Sequence, residues 1–324
     1  MPKPVLTILA GSRPVTGLEK LEALAEVRLA RNSEELAAAL PGTEILYLWD
    51  YFADGLRQSW GRADALKWVH VPAAGVDKLL FAELADSEVA VTNARGVFDA
   101  AMAEYALAGI LHFAKNFPQA GANQRDYRWQ YFPTSNLAGT RALIAGTGSI
   151  GRATARLLRA VGIETDGLGR TARDGDGDAD FGAIHASTDF AAVAGNYDYV
   201  VLAAPLTPAT RQMLNQDVLS AMRPTAVLVN MGRGELVAQD ALVAALTANG
   251  IAGAVLDVTD PEPLPASDPL WDLENVLITP HLSGDSQTHL PALAAQFEQN
   301  LSAYIDGRPL ANMVDKRLGF VPAG

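Results

Sequence analysis

Short runs of aliphatic and β-branched residues alternate with amphipathic stretches along the first hundred residues. Residues 5–9, 27–29, 45–49, 66–71 and 89–92 read as strands, and 17–26, 33–40, 54–60 and 77–84 as helices. Strand and helix in alternation predict a parallel sheet covered on both faces. Ser33, followed by Glu34 and Glu35, reads as an N-cap with acids in the first turn, where they complement the helix dipole. The Ala- and Leu-rich segment 100–116 predicts one long helix, and the polar, aromatic stretch 117–137 a connection. A second alternating series begins at Arg141, with strands expected at 142–145, 163–168, 199–203, 226–230, 253–257 and 276–279. The pattern predicts an α/β chain of two doubly wound units, with a last helix at 287–304 that could return to pack on the first.

Length supports that division, since 324 residues exceed what one hydrophobic core usually serves. With 49% apolar and only 19% charged residues, the chain has the composition of a packed protein rather than a disordered one. A formal charge of -12, with no Lys/Arg stripe, repels phosphate backbones, so nucleic acid is not an expected partner. The lack of cysteine removes disulfides and thiolate metal sites, and is compatible with a reducing compartment. The first ten residues carry one lysine and a short apolar run that passes straight into patterned sequence, so no signal peptide is read. No apolar stretch approaches the roughly 20 residues of a membrane span. A cytoplasmic protein with no membrane partner is expected. Asp174, Asp176, Asp178 and Asp180 alternate with small residues in the manner of a calcium loop. Counted from Asp174, however, the glycine position holds Ala179 and the bidentate glutamate position holds His185. The run is read as a solvated surface loop, and no metal site is expected.

Candidate chemistry begins at Gly146-Thr147-Gly148-Ser149-Ile150-Gly151. The spacing alone is a weak signal, but a strand feeds it and a helix, 150–161, leaves it. Backbone N–H groups at a helix start can hold a pyrophosphate, and glycine lets the chain approach it closely. Gly146, Gly148, Ser149, Ile150 and Gly151 are therefore the expected dinucleotide contacts. The ribose is read at the end of the next strand, by a carboxylate for NAD or a cation for NADP. Asp166 fits the loose count of about 20 residues but falls inside the strand. Arg170 and Thr171, with Arg173 nearby, stand at the strand end and favour NADP(H); NAD(H) stays open if these are ordinary surface charges. Three later strands end in Asn230-Met231-Gly232-Arg233-Gly234, in Asp257 through Pro265, and in Thr279-Pro280-His281. Ligands of open α/β sheets gather at such ends, so Arg233, Glu262 and His281 are expected to converge beside the nicotinamide.

These segments, together with Ala74-Gly75-Val76-Asp77, Ala101-Met102-Ala103-Glu104 and Pro205-Leu206-Thr207-Pro208-Ala209-Thr210, closely resemble the D-2-hydroxyacid dehydrogenase family across residues 46–284. The resemblance implies two Rossmann-like domains with an inter-domain cleft. One would be a flavodoxin-like substrate domain of 1–97 plus 286–324, the other a cofactor domain of 98–285. It implies that Arg233 binds the substrate carboxylate and carbonyl, that His281 is the acid/base, and that Glu262 orients and charges His281. Ala74 and Gly75 would offer backbone N–H groups to the carboxylate. Asp257 would contact the nicotinamide amide, and Pro205, Thr210, Met231, His281 and Gly284 would lie along the cofactor. A homodimer held by the cofactor domains is implied as well, through the 100–116 helix and the connection after it. The chemistry agrees: an imidazolium can protonate the oxygen that a hydride leaves reduced, and an adjacent carboxylate favours that charged form. Arginine matches a carboxylate with its planar fork.

Departures concern substrate and cofactor. Gly169-Arg170 replaces the Asp of NAD-using members, and Arg95 stands where proline is common. The stretch Trp49-Asp50-Tyr51-Phe52 and residues 124–129 look most like the glyoxylate/hydroxypyruvate reductase branch, so Trp49, Tyr51 and Phe52 are candidates for the substrate pocket, with aromatic core as the alternative. The expected activity is NADP-dependent reduction of a small 2-keto acid. Alternatives are the same fold with NAD and phosphoglycerate, phosphite or formate, although formate-oxidising relatives carry Gln where Glu262 stands, or a non-catalytic dinucleotide sensor.

Overall fold

The computed structural model describes residues 2–50, 55–173 and 178–322. Strand and helix alternate from the start: β1 (Val5–Leu9), α1 (Leu18–Leu24), β2 (Glu26–Ala30), α2 (Ser33–Ala39), β3 (Ile45–Tyr47), α3 (Leu56–Ser59), β4 (Trp68–Val71), α4 (Ala82–Ala85) and β5 (Ala90–Asn93). The five strands form one parallel sheet in the order β2-β1-β3-β4-β5, the flavodoxin-type winding. Leu6, Ile8, Ile45, Leu46, Trp68 and Val69 are all fully buried. A sheet covered on both faces has no polar side to alternate with, which is why these strands read as unbroken apolar runs. Helix α2 is capped by Asn32, whose side chain accepts from the Glu35 N–H at 2.9 Å while Glu35 reaches back to the Arg31 N–H. Ser33, expected as the cap, is already the first helical residue.

The second series runs α5 (Asp99–Ala114), α6 (Phe117–Arg125), β6 (Arg141–Ala145), α7 (Ser149–Ala160), β7 (Glu164–Gly169), β8 (Ile184–Ala186), α8 (Phe190–Ala194), β9 (Tyr199–Leu202), α9 (Gln216–Ala221), β10 (Val227–Asn230), α10 (Gln239–Thr247), β11 (Gly253–Leu256) and β12 (Val276–Ile278). Its seven strands are parallel in the order β12-β11-β10-β9-β6-β7-β8. Leu143, Val200, Leu202 and Leu228 point to one buried face and Ile144, Val201, Val227 and Val229 to the other. In the first unit the helix expected at 77–84 is confined to Ala82–Ala85, and in the second two elements depart from the sequence pattern. Residues 117–125 are helical rather than a connection, started by Pro118 in the first turn, where a missing N–H costs nothing. Strand β8 is only three residues long and leaves no periodic trace.

The last helix, α11 (His289–Ile305), belongs with the first sheet, and the chain divides into a unit of 1–98 with 286–324 and a unit of 99–285. Leu293, Phe297 and Leu301, one helical turn apart, form its buried stripe. Phe297 stacks on Tyr47 at 3.8 Å and on Trp68 at 5.3 Å. No described helix is long and apolar enough to cross a membrane.

Candidate active site

In the second unit the winding reverses between β6 and β9, so the loops leaving these strands part and leave a crevice at their carboxyl ends. Gly146–Gly151 fills the first of these loops. Gly146 has φ +107°, and a Cβ there would meet the backbone of Ala203 and Ala204 at 2.6–2.7 Å. A Cβ on Gly151 would collide with the Gly146 carbonyl. Both glycines are needed for the turn to close and for α7 to start tight against its strand. Gly148, the N-cap of α7, differs: an added Cβ would meet nothing within 4 Å. Open space thus lies at a helix start, where the leading N–H groups have no intrahelical acceptor. The residues present fit a dinucleotide pyrophosphate. Ser149 can contribute its N–H, since its hydroxyl bonds Asp99 at 3.1 Å, and Ile150 packs into the core behind the turn. In the facing loop the Thr210 hydroxyl bonds the Pro205 carbonyl at 2.7 Å and receives the Thr207 N–H at 2.8 Å, so it shapes that loop.

Asp166 lies inside β7 and is buried. Its carboxylate receives Arg141 at 3.0 Å, the Tyr197 hydroxyl at 2.7 Å and the Ala183 N–H at 2.8 Å. Arg170 and Thr171 follow the strand end at the surface, and Arg173 pairs back onto Ile184 through two backbone bonds. The acidic run departs from expectation. Arg152 of α7 grips Asp178 with two bonds of 2.9 Å and Asp180 with one of 3.0 Å, and Arg156 adds a second cation to Asp180. The Arg152 guanidinium holds the Asp178 carboxyl well below the usual carboxylate range. These two aspartates are bound to α7 and largely buried, not solvated surface groups. Asp174 and Asp176 lie outside the described residues.

Adjacent strands β10, β11 and β12 carry the remaining candidates. After β10 the buried Asn230 side chain receives the Gly232 N–H at 3.2 Å and donates to the Arg233 carbonyl at 2.9 Å, curling the loop that ends in Arg233. A side chain on the next residue, Gly234, would collide with the Thr259 carbonyl, so only glycine lets the Arg233 loop lie against the loop after β11. There the Thr259 N–H bonds Glu262 Oε1 at 3.3 Å, and Glu262 Oε2 lies 3.0 Å from His281 Nδ1. The three side chains thus belong to loops in successive contact.

His281 adopts a left-handed backbone, φ +53°, which its surroundings impose. Its N–H bonds the Asp257 carbonyl at 2.8 Å. Asp257, 1% exposed, receives the Leu282 and Ser283 N–H groups, each at 2.8 Å, and the Thr279 hydroxyl at 2.6 Å. Asp257 was expected on the cofactor; here three of about four acceptor positions on its carboxylate build the His281 loop. Behind it, Tyr105 of α5 bonds the Thr279 hydroxyl at 2.6 Å. Tyr105 escaped the sequence reading because nothing local marks it, and Asn230 and Thr279 entered it only as members of strand-end segments, without their supporting roles. Met231 is buried at the end of β10, and Gly284 lies in the turn that the Asp285 N–H closes on the Leu282 carbonyl.

In the first unit Ala74 and Gly75 lie, partly exposed, in the loop leaving β4. Trp49 is 1% exposed, bonds the Pro14 carbonyl at 3.0 Å and sits edge-on to Tyr47; these are the contacts of a core residue. Tyr51 and Phe52 lie outside the described residues. Arg95 donates to the Pro322 carbonyl at 2.8 Å, so this departure from the family pattern ties down the C-terminal tail.

The sequence model described as D-isomer specific 2-hydroxyacid dehydrogenase, NAD binding domain, matches residues 107–283. The chain belongs to the D-isomer specific 2-hydroxyacid dehydrogenase family, oxidoreductases that act on the CH–OH group of 2-hydroxyacids with NAD(P). Human glyoxylate reductase/hydroxypyruvate reductase is 33% identical over 76% of this chain and 76% of its own length. A D-isomer specific 2-hydroxyacid dehydrogenase from Xanthobacter autotrophicus Py2, solved with NADPH and MES, is 29% identical, with a TM-score of 0.81 over 98% of this chain and all of that one. An NADPH-dependent glyoxylate/hydroxypyruvate reductase from Sinorhizobium meliloti, solved with NADP and malonate, is 27% identical, with a TM-score of 0.80 over 99% of each chain.

Proposed function

We propose that this chain is an NADP(H)-dependent reductase of small 2-keto acids, of the glyoxylate or hydroxypyruvate kind, that yields the D-2-hydroxy acid. The observation that carries the reading is the 3.0 Å contact between His281 Nδ1 and Glu262 Oε2. With Nδ1 turned to a carboxylate, Nε2 is the nitrogen left to give a proton to the keto oxygen, and Glu262 stabilises the imidazolium before transfer. In the reverse direction Nε2 takes the proton back. Arg233 offers its planar fork to a carboxylate and polarises the carbonyl, and in the first unit the Ala74 and Gly75 N–H groups are donors suited to a carboxylate. Gly148 and the N–H groups opening α7 seat the cofactor pyrophosphate, with Pro205, Met231 and Gly284 along its length. Bound NADPH supplies the hydride. Preference for the 2′-phosphate is supported by Arg170 and Thr171 at the end of β7, while Asp166, the carboxylate within that strand, is bonded to Arg141 and Tyr197.

The test is NADPH oxidation by purified protein over glyoxylate, hydroxypyruvate, pyruvate and phenylpyruvate, with NADH in parallel. Turnover with at least one acid is expected; none with any of them removes the reading. Arg170→Ala should raise the KM for NADPH roughly tenfold, the effect of a lost charge-assisted hydrogen bond, and leave NADH unchanged. Equal losses with both cofactors refute the assignment of Arg170.

The active form is a homodimer. Tyr127, Trp129 and Tyr131 are 98, 104 and 89% exposed in the segment after α6, an unusual cost for a lone chain. Light scattering should report twice the chain mass for the wild type and a monomer for Trp129→Asp with Tyr131→Asp; a monomeric wild type overturns this.

A further inference from the structure

We propose that Asn93 presets the Ala74 and Gly75 N–H groups for the substrate carboxylate, and so governs substrate affinity without touching the substrate. The inference rests on the reading of Ala74 and Gly75 as the carboxylate seat. It follows from the shape of a peptide group. In a planar trans peptide the N–H points opposite to the carbonyl of the preceding residue, so whatever fixes the carbonyl also aims the N–H.

Both carbonyls that matter are fixed from the end of β5. Val71 of β4 pairs with Asn93, so the loop that leaves β4 starts beside that end. The Ala94 N–H donates to the Ala73 carbonyl at 3.0 Å, which turns the Ala74 N–H away from β5. Asn93 Nδ2 donates to the Ala74 carbonyl at 2.6 Å, which turns the Gly75 N–H away from the same strand. Among the described residues neither the Ala74 nor the Gly75 N–H has a hydrogen-bond acceptor. Two successive donors facing one way form the concavity that takes an anionic oxygen.

The Asn93 amide is itself held. Its Oδ1 receives the Arg95 N–H at 3.2 Å, so its nitrogen must face Ala74, and the residue is buried at the strand end. The backbone there is braced from the other side, where the Asn93 N–H donates to the Asn312 carbonyl. Without the Asn93 donor, the Ala74–Gly75 peptide is free to turn over. It would then present a carbonyl oxygen where the carboxylate needs an N–H, replacing attraction with repulsion.

Asn93→Leu removes the donor at similar volume and adds no charge; Asn93→Ala is the second variant should leucine not fold. The readout is the Ala74 and Gly75 amide resonances during titration with oxamate, with NADP present, alongside steady-state kinetics. In the wild type both resonances should move on titration. In the variants the oxamate Kd and the KM for the keto acid should rise about tenfold or more, with kcat and the KM for NADPH within about threefold. Unchanged oxamate affinity in both variants, or wild-type amides that ignore oxamate, overturns the assignment. Oxamate binding at these amides that the variants weaken, in a protein that reduces no 2-keto acid, would uphold the role of Asn93 and remove only the reductase reading.

Discussion

A line of three side chains stands behind His281, and the direction of its protons can be worked out. An ionised carboxylate only accepts, so the Thr279 hydroxyl proton points to Asp257 Oδ1. Thr279 Oγ1 must then accept from Tyr105, 2.6 Å away. Burial pushes the Tyr105 phenol up to about 12, so it keeps that proton at neutral pH. The line ends on the carboxylate that gathers the N–H groups following His281, and it therefore bears on where the imidazole sits. Tyr105→Phe removes one donor and almost no volume. The expected result is a stability loss of about 1 kcal/mol and a kcat lower by roughly three- to tenfold, with NADPH affinity within twofold. An unaltered kcat would show that the hydroxyls brace the fold and nothing more.

At the level of elements, legibility followed burial. Strands such as β9 and β10, covered on both faces, announce themselves as apolar runs, and the glycine turn was readable because a strand precedes it and a helix follows. Arg233, Glu262 and His281 are singled out by the rule that ligands gather at strand ends, a property of topology that sequence order displays. What stayed hidden was support from a distance. Tyr105 and Thr279 are 174 positions apart, and Asn93 reaches Ala74 across 19, with no periodicity to connect either pair. The acidic run misled for the same reason: composition shows four aspartates, but not that Arg152 and Arg156 of α7 face two of them. Helix α6 was hidden by its aromatic and polar makeup, and the α2 cap was missed by one residue because Asn32 and Ser33 are chemically equivalent choices.

Across the whole molecule, acid acts on the two units unequally. The net charge of -12 declines toward zero near the sequence pI of about 4.8, which weakens repulsion between copies. The first unit carries a further sensitivity in His70, fully buried against Tyr47, Trp68 and Phe297. Its Nδ1 meets Thr92 Oγ1, which also accepts the Trp68 indole N–H, and Nε2 has no hydrogen-bond partner among the described residues. Burial lowers the His70 pKa to about 3, against about 6.5 in an unfolded chain. Between those values the unfolded state binds the extra proton, so stability from this group is complete above about pH 6.5 and declines as pH falls, at about 1.4 kcal/mol per unit. Trp49, Trp60 and Trp68 belong to this unit, whereas Trp129 and Trp271 belong to the other. Fluorescence-detected urea unfolding between pH 7 and 5, on a background in which Trp129 and Trp271 are replaced by Phe, therefore reports the first unit. The wild-type midpoint should fall steadily below pH 6.5. His70→Gln, which cannot take up a proton, should start less stable and fall with a slope shallower by about one proton. Parallel slopes would show that buried carboxylates elsewhere, and not His70, set the acid limit of this unit.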